Sequence, residues 1–420
     1  MFTLDPKWFR LFALLPFFVA SFATALGNGA EYVAGTWSAV IGATQLSHEL
    51  FRVMFYMFCF WLPTMTVGPI MGSIVDRFKR QHCYLGANML GVLITSGFAL
   101  WFYVEPSNAW TWPLLLIGMG FLFSLRFPSG NALVQELAKP EDLLLVNALA
   151  GITFELGNLV GNAAGGWLVA YFSIPLVLAA VCACFVFAST ASAFLPKSEE
   201  LPRQQKKRPV LSLYKECFEC LLFLRSNKRA GILAILQMLL ITCFMTNPVF
   251  LAPFVKNILH ESASYFGLLE TLISISFIIA SFVLGFLRRH LGAENALILL
   301  LFLMLMAFIA LFAHPTHQVG IIAYSMIGFG FASWSLSSTL VFECSPKEIQ
   351  GRIQALISTA TGFTLILVDA LVLPFTDNIK HPGNLFIVML ALIGIVLITL
   401  VYLKTTESDL QNDETLPAEE

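Results

Sequence analysis

The chain has 420 residues, 58% hydrophobic and only 12% charged, with a formal net charge of -2. A soluble domain is about 25% charged, so this composition, with 39 Phe and a mean hydropathy of +0.79, argues against a soluble protein. The near-zero net charge identifies no partner; the information lies in where the charges fall.

An α-helical span needs about 20 apolar residues. Runs of that kind lie at 11–40, 53–75, 83–104, 112–136, 146–172, 175–195, 230–254, 266–287, 293–313, 318–342, 353–376 and 385–403. They are continuous rather than alternating, unlike the strands of a membrane barrel. The first follows Lys7 and Arg10, lacks a small-residue cleavage site and is too long for a signal peptide. It is expected to be retained as a helix.

Lys and Arg in the loops set the orientation. With the N-terminus in the cytoplasm, 20 of the 24 basic residues fall inside. Only Arg52, Lys256 and Lys380 fall outside, and Arg126 stands within a span. An even helix count puts both termini inside. No Cys is expected outside, so disulfides are not expected. Cys217-x2-Cys220 has a redox or metal spacing, but no second pair or nearby His completes a site. No metal or cofactor is expected.

A single long polar segment, 196–229, divides the chain. The expected organisation is a six-helix bundle at 1–195, a cytoplasmic linker at 196–229, a second six-helix bundle at 230–403 and an acidic, disordered cytoplasmic tail at 404–420. Within the linker, Leu211–Leu224 reads as an amphipathic surface helix. Two bundles around a midplane site are the plan of secondary transporters.

The loop after the second span holds Asp76, Arg77, Phe78, Lys79 and Arg80, with Gly72 one turn earlier. Charges this dense must lie at a membrane surface. Positive-inside topology explains the basic residues but neither Asp76 nor Gly72. Gly72, Asp76, Arg77 and Arg80 therefore read as a cytoplasmic gate, with the arginines bridging to acids or carbonyls of adjacent helices. After the eighth span, Gly285-x2-Arg288-Arg289 stands where a second copy would lie, without the acid.

Arg126, in Arg126-Phe127-Pro128-Ser129-Gly130, lies deep in the fourth span. A guanidinium there is costly unless it meets an acid or water. It reads as a fixed charge that acts on a carboxylate or binds an anion, with a structural ion pair as the plainer alternative. In the fifth span Gly157, Gly161 and Gly165 recur every fourth residue and Gly166 follows. Such spacing makes a smooth face for close helix packing. Glu31, Glu155, Glu270 and Asp369 are acids within spans, and buried carboxyls can load and release protons. Glu270 also reads as an acid at the outer surface. No His falls in a span, which disfavours a histidine relay.

These motifs resemble those of the major facilitator superfamily of transporters. Gly72…Asp76-Arg77…Arg80 is similar to its loop between helices 2 and 3. Arg126-x3-Gly130 is similar to its helix 4 signature, where the Arg is tied to proton coupling. Gly157-x3-Gly161-x3-Gly165-Gly166 is similar to the helix 5 signature of its antiporters. Asn131–Leu137, Asn147–Leu149 and Ser345–Arg352 resemble a bacterial branch with macrolide efflux proteins, siderophore exporters and lysophospholipid transporters. Lys79 stands where the family has Gly, and Asn162 where its antiporters have a helix-bending Pro.

The resemblance implies an all-α polytopic membrane protein of twelve transmembrane helices in two pseudo-symmetric bundles. It implies a transporter rather than an enzyme, exporting a small organic or amphipathic molecule across a bacterial inner membrane by proton antiport. A lysophospholipid flippase or a solute importer of the same superfamily is the alternative. Inward proton movement supplies about 2.3 kcal/mol per charge per 100 mV. Glu31, Arg126, Glu155 and Asp369 are the expected coupling residues. The expected cavity lining is Trp37, Phe121, Gln237, Asn247, Tyr324 and Trp334, whose aromatic and amide side chains suit an amphipathic substrate. The expected partners are substrate, protons and membrane lipids, with no nucleic acid and a monomer as the working unit.

Overall fold

The computed structural model describes residues 14–42, 45–106, 108–138, 143–196, 219–346, 349–372 and 386–414. Regular structure among them is helical. The long helices are α1 Leu15–Ile41, α2 Leu46–Arg77, α3 Arg80–Val104, α4 Thr111–Leu137, α5 Leu143–Tyr171 and α6 Ile174–Ala193. After a helical stretch at 219–226 come α7 Lys228–Asn257, α8 Ala263–Leu291, α9 Ala293–Ala313, α10 His317–Glu343, α11 Gln350–Val372 and α12 Ile387–Glu414.

Local chemistry explains several ends. Pro16 and Pro175 open α1 and α6, where a missing N–H costs nothing. Thr316 caps α10 by accepting from the Val319 N–H at 3.4 Å. α8 turns into α9 through Gly292 at φ +80°, a backbone region that suits glycine. Pro128 lies inside α4, and Pro248 and Pro253 inside α7; each removes one backbone donor and favours a local bend. Beyond Lys404 the helix continues to Glu414. The expectation of a disordered tail does not hold there, because that stretch has neither Gly nor Pro to stop a helix. The amphipathic stretch expected at 211–224 lies outside the described residues up to 218, as does the tail after 414.

Among the described residues, eight helices are long and apolar enough to cross a membrane: α2, α3, α4, α6, α7, α8, α9 and α10. α1 and α5 have the length but carry Gly, Asn and Glu, and these two pack most extensively on each other. A helix that faces a helix needs small residues more than apolar ones. Large apolar side chains such as Leu93, Phe282 and Ile398 stand 68–72% exposed, as surfaces meeting hydrocarbon do.

Contacts group the chain into two compact units. The first holds the residues up to Val210 together with Val255–Ser274; the second holds Leu211–Phe254 and the residues from Ile275 onward. In the first, α1 packs on α5 and α6, α2 on α4, and α3 on α4 and α6. A core of Phe17, Tyr84, Leu133, Val134, Val146 and Ala188 fills one end. In the second, α9 packs on α10 and α12, with Ala280, Leu300 and Ala332 at the centre. The α9 pairings repeat those of α3 six helices later, as an internal repeat requires.

Candidate coupling and substrate site

The α1–α5 seam is built by glycine. A Cβ on Gly157 would stand 2.5 Å from the Phe22 carbonyl oxygen, and one on Gly165 2.6 Å from Ala30 Cα. One on Gly161 would strike the Leu26 backbone. From the other side, a Cβ on Gly29 would stand 2.9 Å from Asn158 O and from Asn162 Oδ1. Gly166 turns away from α1 and meets Gly267 and Ala263 at the start of α8.

Next to Ala30 in α1 comes Glu31, 3% exposed, with Oε1 lacking a hydrogen-bond partner. Thr36 Oγ1 and Ser38 Oγ, further along α1, are also buried and unpartnered. Glu155, two residues before Gly157, is half-buried.

Arg126 is 5% exposed on α4, and its Nη1 lacks a hydrogen-bond partner. Its described ionisable neighbour is Tyr84 of α3, whose ring also packs on the bare Gly130. Tyr84 lies next to Asn88. Asn88 is fully buried; it donates to Ser192 Oγ at 3.0 Å and accepts from Thr24 Oγ1 at 3.4 Å. Arg126 thus ends a polar string that joins α1, α3, α4 and α6. Asn88 escaped the sequence reading; a lone amide inside an apolar run was its only signal.

At the gate loop the backbone of Gly72, Asp76 and Arg77 ends α2, and the side chains of Asp76 and Arg77 lie outside the described set. Arg80 does bridge to an adjacent helix. Its Nη1 donates to Ala132 O at 2.7 Å, and its Nε lies 3.3 Å from Glu136 Oε2. Both side chains are mostly buried, so Arg80→Ala is expected to cost about 1–3 kcal/mol, checked by thermal unfolding in detergent. In the second unit Arg288 Nη2 reaches both oxygens of Glu343 at 2.7 and 2.9 Å. The acid missing from that loop is supplied by the end of α10. This pair is exposed, so Arg288→Ala is expected to change stability by under about 1 kcal/mol.

The expected cavity residues divide. In the first unit Trp37 is buried and stacks on Phe266 at 6.0 Å, while Phe121 is 37% exposed. In the second unit Tyr324 is fully buried and Trp334 is 43% exposed. Gln237 is buried and exchanges hydrogen bonds with Gln354 at 3.0 and 3.3 Å. Asn247 is buried with Oδ1 unpartnered, as is its neighbour Thr246 Oγ1. Asp369 lies in α11, with its side chain outside the described set.

Long apolar helices in two units, with ionisable side chains held inside them, define a multi-pass helical membrane protein. The sequence profile of the Major Facilitator Superfamily matches residues 12–368 and 233–419, and the chain belongs to that family of transporters. The MFS-type transporter YfiS of Bacillus subtilis (strain 168) is 27% identical over 179 residues, 42% of this chain and 42% of that protein. The matched stretch thus spans less than half of that relative. Among solved structures, the nucleoside transporter NupG superposes with TM-score 0.68 at 16% identity, covering 94% of this chain and 98% of that one. A D-xylose-proton symporter superposes with TM-score 0.71 at 15% identity, covering 93% and 96%. Identities this low speak for the fold alone.

Proposed function

We propose that the protein exports a small organic or amphipathic molecule across a bacterial inner membrane in exchange for protons, with both termini cytoplasmic. Glu31 carries this reading. It is an ionisable group removed from water, with one oxygen free of partners, on the helix that the antiporter-like glycines grip. A carboxyl so placed can take up and hand on a proton without breaking a structural bond. Arg126 supplies a fixed positive charge in the same bundle, and Arg80 ties down the loop end of α4. Glu155 and Asp369 are the further proton sites of this reading. Each unit by itself offers open polar atoms and an exposed aromatic side chain (Thr36, Ser38 and Phe121 in the first; Thr246, Asn247 and Trp334 in the second), and such chemistry suits a substrate with both polar and apolar parts.

Two findings favour keeping import as the second reading. Asn162 replaces the antiporters' proline, and the fold is shared with a D-xylose-proton symporter. Vesicles loaded with a macrolide, a catecholate siderophore or lysophosphatidylethanolamine decide between the readings. Export of one of the first two that collapses with a proton ionophore is expected. Transport that persists unchanged without a gradient contradicts antiport. Glu31→Gln is expected to abolish gradient-driven export while leaving downhill exchange of the same substrate, and loss of both contradicts a coupling role.

A further inference from the structure

Glu270 has no part in the proton path proposed above. It lies two turns into α8, in the part of that helix, up to Ser274, that belongs to the first unit. It is 8% exposed. Tyr32 Oη of α1 donates to its Oε1 at 3.0 Å. Among the described residues no cation reaches this carboxylate. One phenol hydroxyl leaves the charge uncompensated, and a charge removed from water is costly unless it is paired.

The surroundings are aromatic. Phe266 stands one turn before Glu270 on the same face of α8. The Tyr32 ring lies 6.3 Å from the Phe266 ring, and the Trp37 ring stacks on Phe266 at 6.0 Å. α5 closes in on the same stretch: a Cβ on Gly267 would stand 2.6 Å from Asn162 O. A calcium or magnesium ion calls for several oxygen ligands, and a sugar for several well-placed donors and acceptors. One carboxylate beside three rings offers neither. Its chemistry matches a cation with apolar substituents: the acid supplies the opposite charge, and aromatic rings attract a cation while covering its hydrocarbon.

We infer that Glu270, with Tyr32, Phe266 and Trp37, is a binding site for the charged end of an organic cation that carries apolar groups. Tyr32 fixes Oε1 of the acid and leaves Oε2 for the ligand, and the rings of Phe266 and Trp37 take its apolar part. The inference rests on the reading of the chain as a transporter of small organic or amphipathic molecules and names their chemical class. It does not depend on the direction of transport or on proton coupling through Glu31.

Equilibrium dialysis of radiolabelled tetraphenylphosphonium against the full chain in detergent tests the site. Saturable binding is expected in the native protein, weakened at least about 30-fold in Glu270→Gln. Tetraphenylborate, the anion of the same shape, is expected not to bind saturably. Absence of saturable cation binding, native affinity in Glu270→Gln, or saturable binding of the anion overturns the proposal. Where Glu270→Gln fails to fold, the native protein carries the test. Tetraphenylphosphonium is expected to protect Glu270 from modification by dicyclohexylcarbodiimide, read by peptide mass spectrometry, and unchanged modification overturns the site. Binding is read without any gradient, so a flux result against antiport leaves the site standing, and failure of the binding leaves antiport standing.

Discussion

Gly161→Leu is expected to abolish transport and to cost more than about 3 kcal/mol of stability. The new side chain would have to enter the backbone of Leu26, and a Cβ alone would stand 3.0 Å from its Cα. Backbone cannot swing aside as a side-chain tip can, so α1 and α5 must separate, and the helix that carries Glu31 is displaced. Gly151 of the same helix has nothing within 4 Å of its added Cβ. Gly151→Ala is therefore expected to be neutral or stabilising by about 0.5–1 kcal/mol, since alanine is the better helix former. Thermal unfolding of the two variants in detergent checks the pair. A native melting temperature for Gly161→Leu contradicts the seam.

Arg126→Ala is expected to abolish gradient-driven transport, by on the order of 100-fold, the upper end of ordinary coupling energies, while expression stays near native. The argument is one of charge. Arg126 is 5% exposed and has Nη1 unpartnered, so deleting it removes a buried cost rather than a described ion pair. A structural role predicts the reverse pattern, lower yield and lower melting temperature with coupling retained in the surviving protein. Arg126→Lys separates the two further. Lysine keeps the charge but not the planar fork, so partial coupling identifies charge as the working property.

Much of the fold was legible because the bilayer imposes a length. α9 matches its apolar run at 293–313 to the residue, since Gly292 and His314 bound it sharply. α2 begins seven residues before its run, at Leu46, because Ser47, His48 and Glu49 are polar and hydropathy counting stops at them. The same blindness shortened α7 and α8 and concealed the ion pair of Glu49 and Lys256, which meet across 207 positions, a distance no local pattern reports. Lys256 and Arg52 had nonetheless stood out as basic residues on the sparsely charged side. The glycine ladder was legible as a packing face because its spacing is helical, whereas its partner on α1 was not. The loop after α8 shows the limit most plainly. Its acid looked lost, yet Glu343, 55 residues on, occupies that role.

Simultaneous recording of substrate flux and proton flux in the same oriented proteoliposomes tests the antiport account most directly. With a pH gradient imposed and an exported substrate supplied, substrate and protons are expected to move in opposite directions, and both fluxes are expected to stop in Glu31→Gln. Substrate and protons moving in the same direction, or substrate moving with no proton flux, contradicts it.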